Sequence, residues 1–269
     1  MRQTVNGAAG EEDRAGVFER YSEFYDLLYS DKDYIGEVEY VCTLLHEFGV
    51  DSGSILEFGS GTGVHGQLLA GKGFHVYGIE QSHEMVKIAT SRGKPTGPGS
   101  FECTVGDLGT TRLNRQFDCV LSLFHVISYQ TTDQSIEAAF ANALLHLKPG
   151  GVFVFDVWHA AAVLSQQPSV RVKRAENDQV RLTRIAEPTL LTEENCVRVD
   201  YTLFAEERGT AGIAVCRESH LMRYFSCPEL RSISARHGFE LAHSEEWVTR
   251  RPPSASTWGV CYVLRKLPE

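Results

Sequence analysis

The chain has no long apolar run. Its most hydrophobic stretch, GVFVFDVW from Gly151 to Trp158, contains Asp156 and falls far short of the roughly 20 residues that cross a bilayer. The start, MRQTVNGAAGEEDRAG, has no apolar segment of the kind a secretory signal needs. Neither a membrane-spanning nor a secreted protein is expected; a cytoplasmic one is. Positive charge is in deficit, 26 Lys+Arg against 35 Asp+Glu for a net charge of −9, a poor footprint for nucleic acid. The seven cysteines (42, 103, 119, 196, 216, 227, 261) form no C-x-x-C pair, and the ten histidines show no H-E-x-x-H spacing. No disulfide framework and no metal site are expected. Cys103, Cys119 and Cys261 stand in β-like runs, where a free thiol behaves as a small hydrophobe. There is no internal repeat and no low-complexity segment. What remains is the composition of an ordinary globule, 42 % hydrophobic and 23 % charged, long enough to bury about three quarters of its unfolded surface.

From residue 51 the hydrophobic pattern alternates between periods. SILEF (54–58), FHVYGIE (74–80), FECTV (101–105), FDCVLSLF (117–124) and, after PGG, VFVFDVW (152–158) read as strands. Helical stretches separate them: Val64–Ala70, His83–Arg92 and Asp133–Leu147, with Ile136, Phe140, Leu144 and Leu147 in register. Two helical segments precede the first strand, Val17–Tyr29 and Tyr34–Phe48, after about 15 polar residues expected to fray. Strands alternating with helices predict a parallel sheet covered on both faces. After Trp158 the runs RVKR, VRLTRIAEP, CVRVDYTLFAE and AVCRESHLMRYF read as an antiparallel sheet, followed by a helix over Cys227–His237 and two closing strands.

The segment Ile55-Leu-Glu-Phe-Gly-Ser-Gly-Thr-Gly63 ends a strand and opens a helix. Glycines there let a ligand approach the backbone, and the helix N-terminus presents free N–H groups. Glu80 ends the next strand, where a carboxylate can accept both hydroxyls of a ribose. A nucleoside-containing ligand is therefore expected over these strand ends. Gly61-Thr-Gly-Val-His-Gly66 also fits G-x-G-x-x-G, which keeps a nicotinamide-dinucleotide oxidoreductase open. Against it, Glu57 suits a cationic amino-acid group better than a pyrophosphate, and Asp107 offers an acceptor for an exocyclic adenine amine. The only Tyr-x-x-x-Lys, Tyr262 to Lys266, lies on a strand, where its two side chains stand about 13 Å apart.

From about residue 54 to 158 the sequence resembles the class I S-adenosylmethionine-dependent methyltransferases. The matching pieces are ILEFGSGTG, the acid in YGIEQS, GD in VGDL, FDCVLSLF, and LKPGG before a strand. The resemblance implies a Rossmann-like, seven-stranded, mostly parallel α/β sheet whose last strand is antiparallel. It places the methionine part of S-adenosyl-L-methionine on Gly59, Gly61 and Gly63. Glu80 would take the ribose, with Gln81 and Met85 following it, and Asp107 with Leu108 the adenine. Leu123 and Phe124 would lie near the sulfonium. A narrower likeness, carried by YDLLYSDKDY, the strands after DVW and ESHLMRYFSCPEL, points to enzymes that methylate nucleotide-linked amino sugars. In those a histidine shortly after strand four lies near the accepting amine; here Tyr129 holds that position and His125 stands four residues earlier.

Candidate catalytic residues are therefore His125, Tyr129 and, less directly, His220, with His159 weaker still. Tyr21, Tyr25, Tyr29 and Tyr34 recur at helix-like intervals; the resemblance gives Tyr25 to the cofactor carboxylate and His65 a place in the same site. Residues 168–186 hold Arg171, Lys173, Arg174, Arg181 and Arg184 against Glu176 and Asp178, either a solvated strand edge or a cradle for an anionic acceptor. The expected layout is an N-terminal lid (1–50), a cofactor-binding core (51–158), an acceptor platform (159–225) and a closing helix and strands (226–269). The expected function is methyl transfer to a small polar acceptor such as a nucleotide-linked sugar, without nucleic-acid or membrane partners. A non-catalytic nucleoside-binding module and the oxidoreductase are the rivals.

Overall fold

The computed structural model describes residues 22–209 and 212–268. Tyr21, the first 15 residues and the start of the expected Val17–Tyr29 helix lie outside them. The sheet core is built from β1 (Gly53–Phe58), β2 (Phe74–Glu80), β3 (Ser100–Val105), β4 (Phe117–Ser122) and β5 (Leu147–His159). These run parallel in the order β3-β2-β1-β4-β5. On the free side of β5 lies β11 (Gly259–Lys266), antiparallel to it, and then β10 (Phe239–Glu246), antiparallel to β11. Successive β1 residues serve opposite faces. Ile55 packs with Val41, Leu45 and Leu69, whereas Leu56 packs with Phe140, Phe153 and Tyr262. Burial on both sides is why these strands read as continuous apolar runs.

The helices α2 (Tyr34–Glu47), α3 (Val64–Gly71), α4 (His83–Ser91), α5 (Asp133–His146) and α7 (Cys227–Arg236) fall where the periodicity put them. Ser82, Thr132 and Ser226 cap α4, α5 and α7 by accepting from backbone N–H groups. α3 has only Gly63 at its N-cap and no side-chain cap, which leaves its N-terminal N–H groups for another partner.

Three local features depart from the sequence pattern. β4 stops at Ser122, two residues early, because Phe124 and His125 both turn left-handed (φ 65° and 62°) into a 3₁₀ turn over Val126–Tyr129. PGG does not precede β5 but lies inside it, because Leu147 already pairs with Phe117. A helix α6 (Ala160–Gln166) follows β5, too short for its period to show.

The insert is a four-stranded meander: β6 (Arg171–Glu176), β7 (Val180–Leu191), β8 (Cys196–Glu207) and β9 (Ala214–Phe225), each antiparallel to its neighbour. It is not detached from the core. Trp158 and His159 at the end of β5 pair with Tyr224 and Phe225 of β9. This joint holds the meander over the C-terminal ends of the parallel strands, where open α/β sheets bind ligands. Helix α1 (Ser22–Leu28) packs Leu28 against Val180, Leu182, Leu203 and Ala205 of the meander.

Candidate functional site

A cavity of about 870 Å³ opens between the strand ends, α1 and the meander. One end is the loop after β1. Gly61 (φ +55°) has open space where a side chain would stand, the nearest atom to an ideal Cβ being Met85 Sδ at 4.0 Å. Gly59 (φ +68°) is crowded instead: a Cβ would meet Val126 at 2.5 Å. The loop is anchored to the next strand, since Gly61 N–H donates to Glu80 Oε2 (2.9 Å) and Ser82 N–H to Glu80 Oε1 (2.8 Å). Burial raises the Glu80 carboxyl, and those amides pull the other way. A carboxylate accepts about four hydrogen bonds, so each oxygen keeps capacity for a ribose hydroxyl. Gln81, Met85 and Leu108 also line this end. Asp107 lines it too, although its Oδ1 already accepts from Gly109 N and Thr110 N (2.9 and 3.0 Å). An open glycine cradle beside a buried carboxylate and apolar side chains fits an adenosine-bearing amino acid.

Two expected contacts fail. Glu57 and Gly63 do not line the cavity. Glu57 is 2 % exposed, and burial, with Glu80 nearby, pushes its carboxyl up to about 8. It is a protonated interior group near neutral pH, unsuited to holding a cationic amine. Its Oε2 faces α3, where a Cβ on Gly66 would stand 2.9 Å away. Gly63 is a packing glycine; a Cβ there would press the Phe101 ring at 2.8 Å.

His65 does line the cavity, and its Nε2 lies 2.7 Å from Glu37 Oε2. Burial alone would raise Glu37, but bonds from His65 and Lys32 outweigh it and hold the carboxyl at about 2. Lys32 Nζ sits 4.5 Å from the centre of the Phe124 ring. Tyr25 lines the cavity from α1, its ring 4.7 Å from that of Tyr29. The second half of the helix and the turn after it are strapped down. Thr62 Oγ1 donates to Asp26 (2.7 Å), which also pairs with Arg92, and Lys173 of β6 pairs with Asp31.

The other end of the cavity gathers the candidate catalytic residues. Leu123, Phe124, His125, Tyr129 and His220 all line it. Adjacent left-handed non-glycine residues cost on the order of 1–3 kcal/mol each; here they bring Phe124 and His125 to the wall. Asp156 of β5, 1 % exposed, holds the bend by accepting from His125 N–H (3.1 Å). His125 Nδ1 is 2.6 Å from Asp156 Oδ2 but off the line of a hydrogen bond. Tyr129 and His220, 91 residues apart, meet: the phenol oxygen is 2.8 Å from His220 Nδ1. Glu218 Oε2 is 3.1 Å from Nε2 of the same ring. His159 does not line the cavity; its Nδ1 is 3.3 Å from Thr257 O.

The basic run divides. Arg171 and Arg184 line the cavity, and Arg184 donates to Tyr29 Oη (2.9 Å). Arg181 pairs with Glu176 and Glu206, and Arg174 is exposed on β6, the edge strand. Tyr262 is buried and Lys266 donates to Leu144 O and Leu147 O, so that pair offers no hydride-transfer site. Sequence reasoning missed Asp156, Glu218 and Glu37. The first is a lone acid in a buried strand, and the second stands two residues before His220 on one strand face; both signals were there to use.

Residues 55–151 match the family model of a methyltransferase domain. The chain is 31 % identical over 142 residues to a Streptomyces venezuelae dTDP-3-amino-3,4,6-trideoxy-alpha-D-glucopyranose N,N-dimethyltransferase, covering 51 % of this chain and 57 % of that one. It is 27 % identical to a Streptomyces fradiae dTDP-3-amino-3,6-dideoxy-alpha-D-glucopyranose N,N-dimethyltransferase, covering 76 % and 78 %. In fold it is similar to a sugar N-methyltransferase from Streptoalloteichus (TM-score 0.77, 21 % identity, all of both chains). A Micromonospora echinaspora amino pentose methyltransferase with S-adenosylmethionine bound gives 0.72, with 24 % identity over 93 % and 97 %.

Proposed function

Residues 55–151 match a methyltransferase domain, and from that premise we propose that the chain uses S-adenosylmethionine to methylate the amine of a small nucleotide-linked amino sugar. When bound, the cofactor supplies an electrophilic methyl group on a sulfonium. The chain's own work is then positional. Gly59, Gly61 and Glu80 hold the donor, Asp107 and Leu108 its adenine, and Tyr25 and His65 its amino-acid end. Within the described residues, 22–50 act as a lid over that end, and 159–209 with 212–225 as the acceptor platform. Arg171 and Arg184 face the cavity from the platform, where guanidinium groups suit a diphosphate.

The observation that carries this reading is the continuity of the cavity. One space joins the glycine loop and Glu80 to Phe124, His125 and Tyr129, and then to Arg171 and Arg184. A binding module without chemistry would need no polar side chains at the junction. The relatives named for N,N-dimethylation of dTDP-linked amino sugars favour an amine over a hydroxyl. All seven cysteines are free, which supports a reducing, cytoplasmic setting, and no helix among the described residues could cross a membrane. The test is incubation with S-adenosylmethionine and a panel of nucleotide-linked amino sugars, read by product mass. Methylation of the amine is expected. Binding of S-adenosylhomocysteine with no product from any amine, or tight binding of NAD instead, overturns the assignment.

A further inference from the structure

Tyr129 and His220 of the cavity wall, with Glu218 behind them, form a chain of three polar side chains that positioning alone does not require. Glu218 and His220 lie two apart on β9, so strand geometry puts them on one face. Both side chains are nearly closed to water, at 6 % and 4 % exposed. Val199 stands opposite His220 in β8, and Tyr201 meets the imidazole edge-on at 4.9 Å. Glu218 accepts from Nε2. A carboxylate there fixes the proton on Nε2, because the ring nitrogen facing it must be the donor. Nδ1 is then an acceptor, and its partner at 2.8 Å is the Tyr129 hydroxyl. Both ring nitrogens of His220 are thus held in line, whereas His125 Nδ1 sits off the line to Asp156.

We propose that Tyr129, His220 and Glu218 form a proton relay that strips the acceptor amine of its proton before methyl transfer, with Glu218 as the positioning residue. The inference rests on the amino-sugar reading above. An alkyl ammonium has no lone pair to offer, so deprotonation must come first. The ammonium N–H bond breaks toward the Tyr129 oxygen as the phenol proton passes to Nδ1. The amine keeps its electron pair, and His220 becomes an imidazolium whose charge Glu218 balances. After turnover the imidazolium returns its proton to water through Tyr129. Among the described residues, Glu218 from β9, Tyr129 from the 3₁₀ turn and Tyr201 from β8 face this ring. The Arg184 guanidinium of β7 lies 5.0 Å from the centre of the Tyr201 ring.

The test has two parts. In [15N]histidine-labelled protein, with His220 assigned by its loss in His220→Gln, long-range proton–nitrogen spectra should show the Nε2–H tautomer. Glu218→Gln should move part of the population to Nδ1–H, and Glu218→Asp should restore it. An Nδ1–H tautomer in the wild type overturns the relay. In turnover with an amino sugar, Tyr129→Phe should lower kcat about tenfold or more at pH 7. That deficit should shrink to less than about threefold near pH 9.5, where the amine sheds its proton unaided. S-adenosylhomocysteine affinity should stay within about twofold throughout. A deficit independent of pH marks a structural role and overturns the relay alone. No turnover of any amino sugar despite the expected tautomer overturns the acceptor assignment, and the relay with it.

Discussion

Gly61 N–H donates to Glu80 Oε2 at 2.9 Å, so the loop after β1 and the acid that ends β2 act as one unit. Replacing Glu80 removes two things at once: the acceptor for a ribose and the anchor of the glycine loop. Glu80→Ala should weaken S-adenosylhomocysteine binding by about 2 kcal/mol or more, since bonds to a charged acceptor are worth roughly 1.5–3 kcal/mol. Calorimetric titration measures this. NAD should give no heat with either protein, and unchanged affinity would reduce Glu80 to a strand terminator.

Glu57 should make the fold more stable at low pH. Its carboxyl is raised to about 8 in the folded chain from an ordinary value near 4.5, so the folded state holds the proton more tightly. That contribution is complete below about pH 4.5 and is lost as pH rises through 8. Glu57→Gln keeps the shape and cannot ionise. Its melting temperature should exceed the wild type's by a margin that widens between pH 5 and 8, toward a difference on the order of 4 kcal/mol. A margin that stays flat over that range would mean Glu57 is ionised after all.

Much of this site was legible because parallel strands and their terminal residues leave a strong pattern. The glycine loop, Glu80, Asp107 and Phe124 were located by following each apolar run to its end. Glu57 was misplaced by the same logic. Position at a strand end says that a residue is near the loop, but not on which side of the strand its side chain emerges. The Tyr129–His220 contact could not be read at all, because it joins residues 91 apart through the seating of the meander on β5. The two left-handed residues after Ser122 hid the end of β4, since Phe gives no sign of a positive φ.

The bend at Phe124 and His125 offers a way to separate backbone from imidazole. Asn tolerates the left-handed region better than most residues, so His125→Asn should keep the melting temperature within about 2 °C of wild type, equivalent to a surface change. Asp156→Ala should lower it much more, because His125 N–H then loses its acceptor and the bend its anchor. If His125 touches the acceptor, His125→Asn also raises KM for it while leaving S-adenosylhomocysteine affinity unchanged. An unchanged KM would restrict His125 to shaping the turn.

The platform's arginines make the last prediction, and the structure sharpens which ones to test. Arg171 and Arg184 line the cavity, whereas Arg174 is exposed on the edge strand and serves as the control for net charge. Arg171→Ala should raise KM for a nucleotide-linked acceptor at least about tenfold, the loss of a charge-assisted contact of roughly 1.5–3 kcal/mol. Arg174→Ala should change it less than about twofold. Arg184→Ala should act on both KM and fold, since the side chain also donates to Tyr29 Oη of the lid and lies between the Tyr29 and Tyr201 rings. Salt separates the two effects. Exposed charges are screened over about 10 Å at 0.1 M, so raising ionic strength should raise the wild-type KM and do less to Arg171→Ala, which has already lost the attraction. The measurement is a steady-state series at two salt concentrations with the diphosphate-linked sugar and its phosphate-free counterpart. If Arg171→Ala and Arg174→Ala respond alike, the basic run is an ordinary strand edge and the acceptor has no diphosphate seated there.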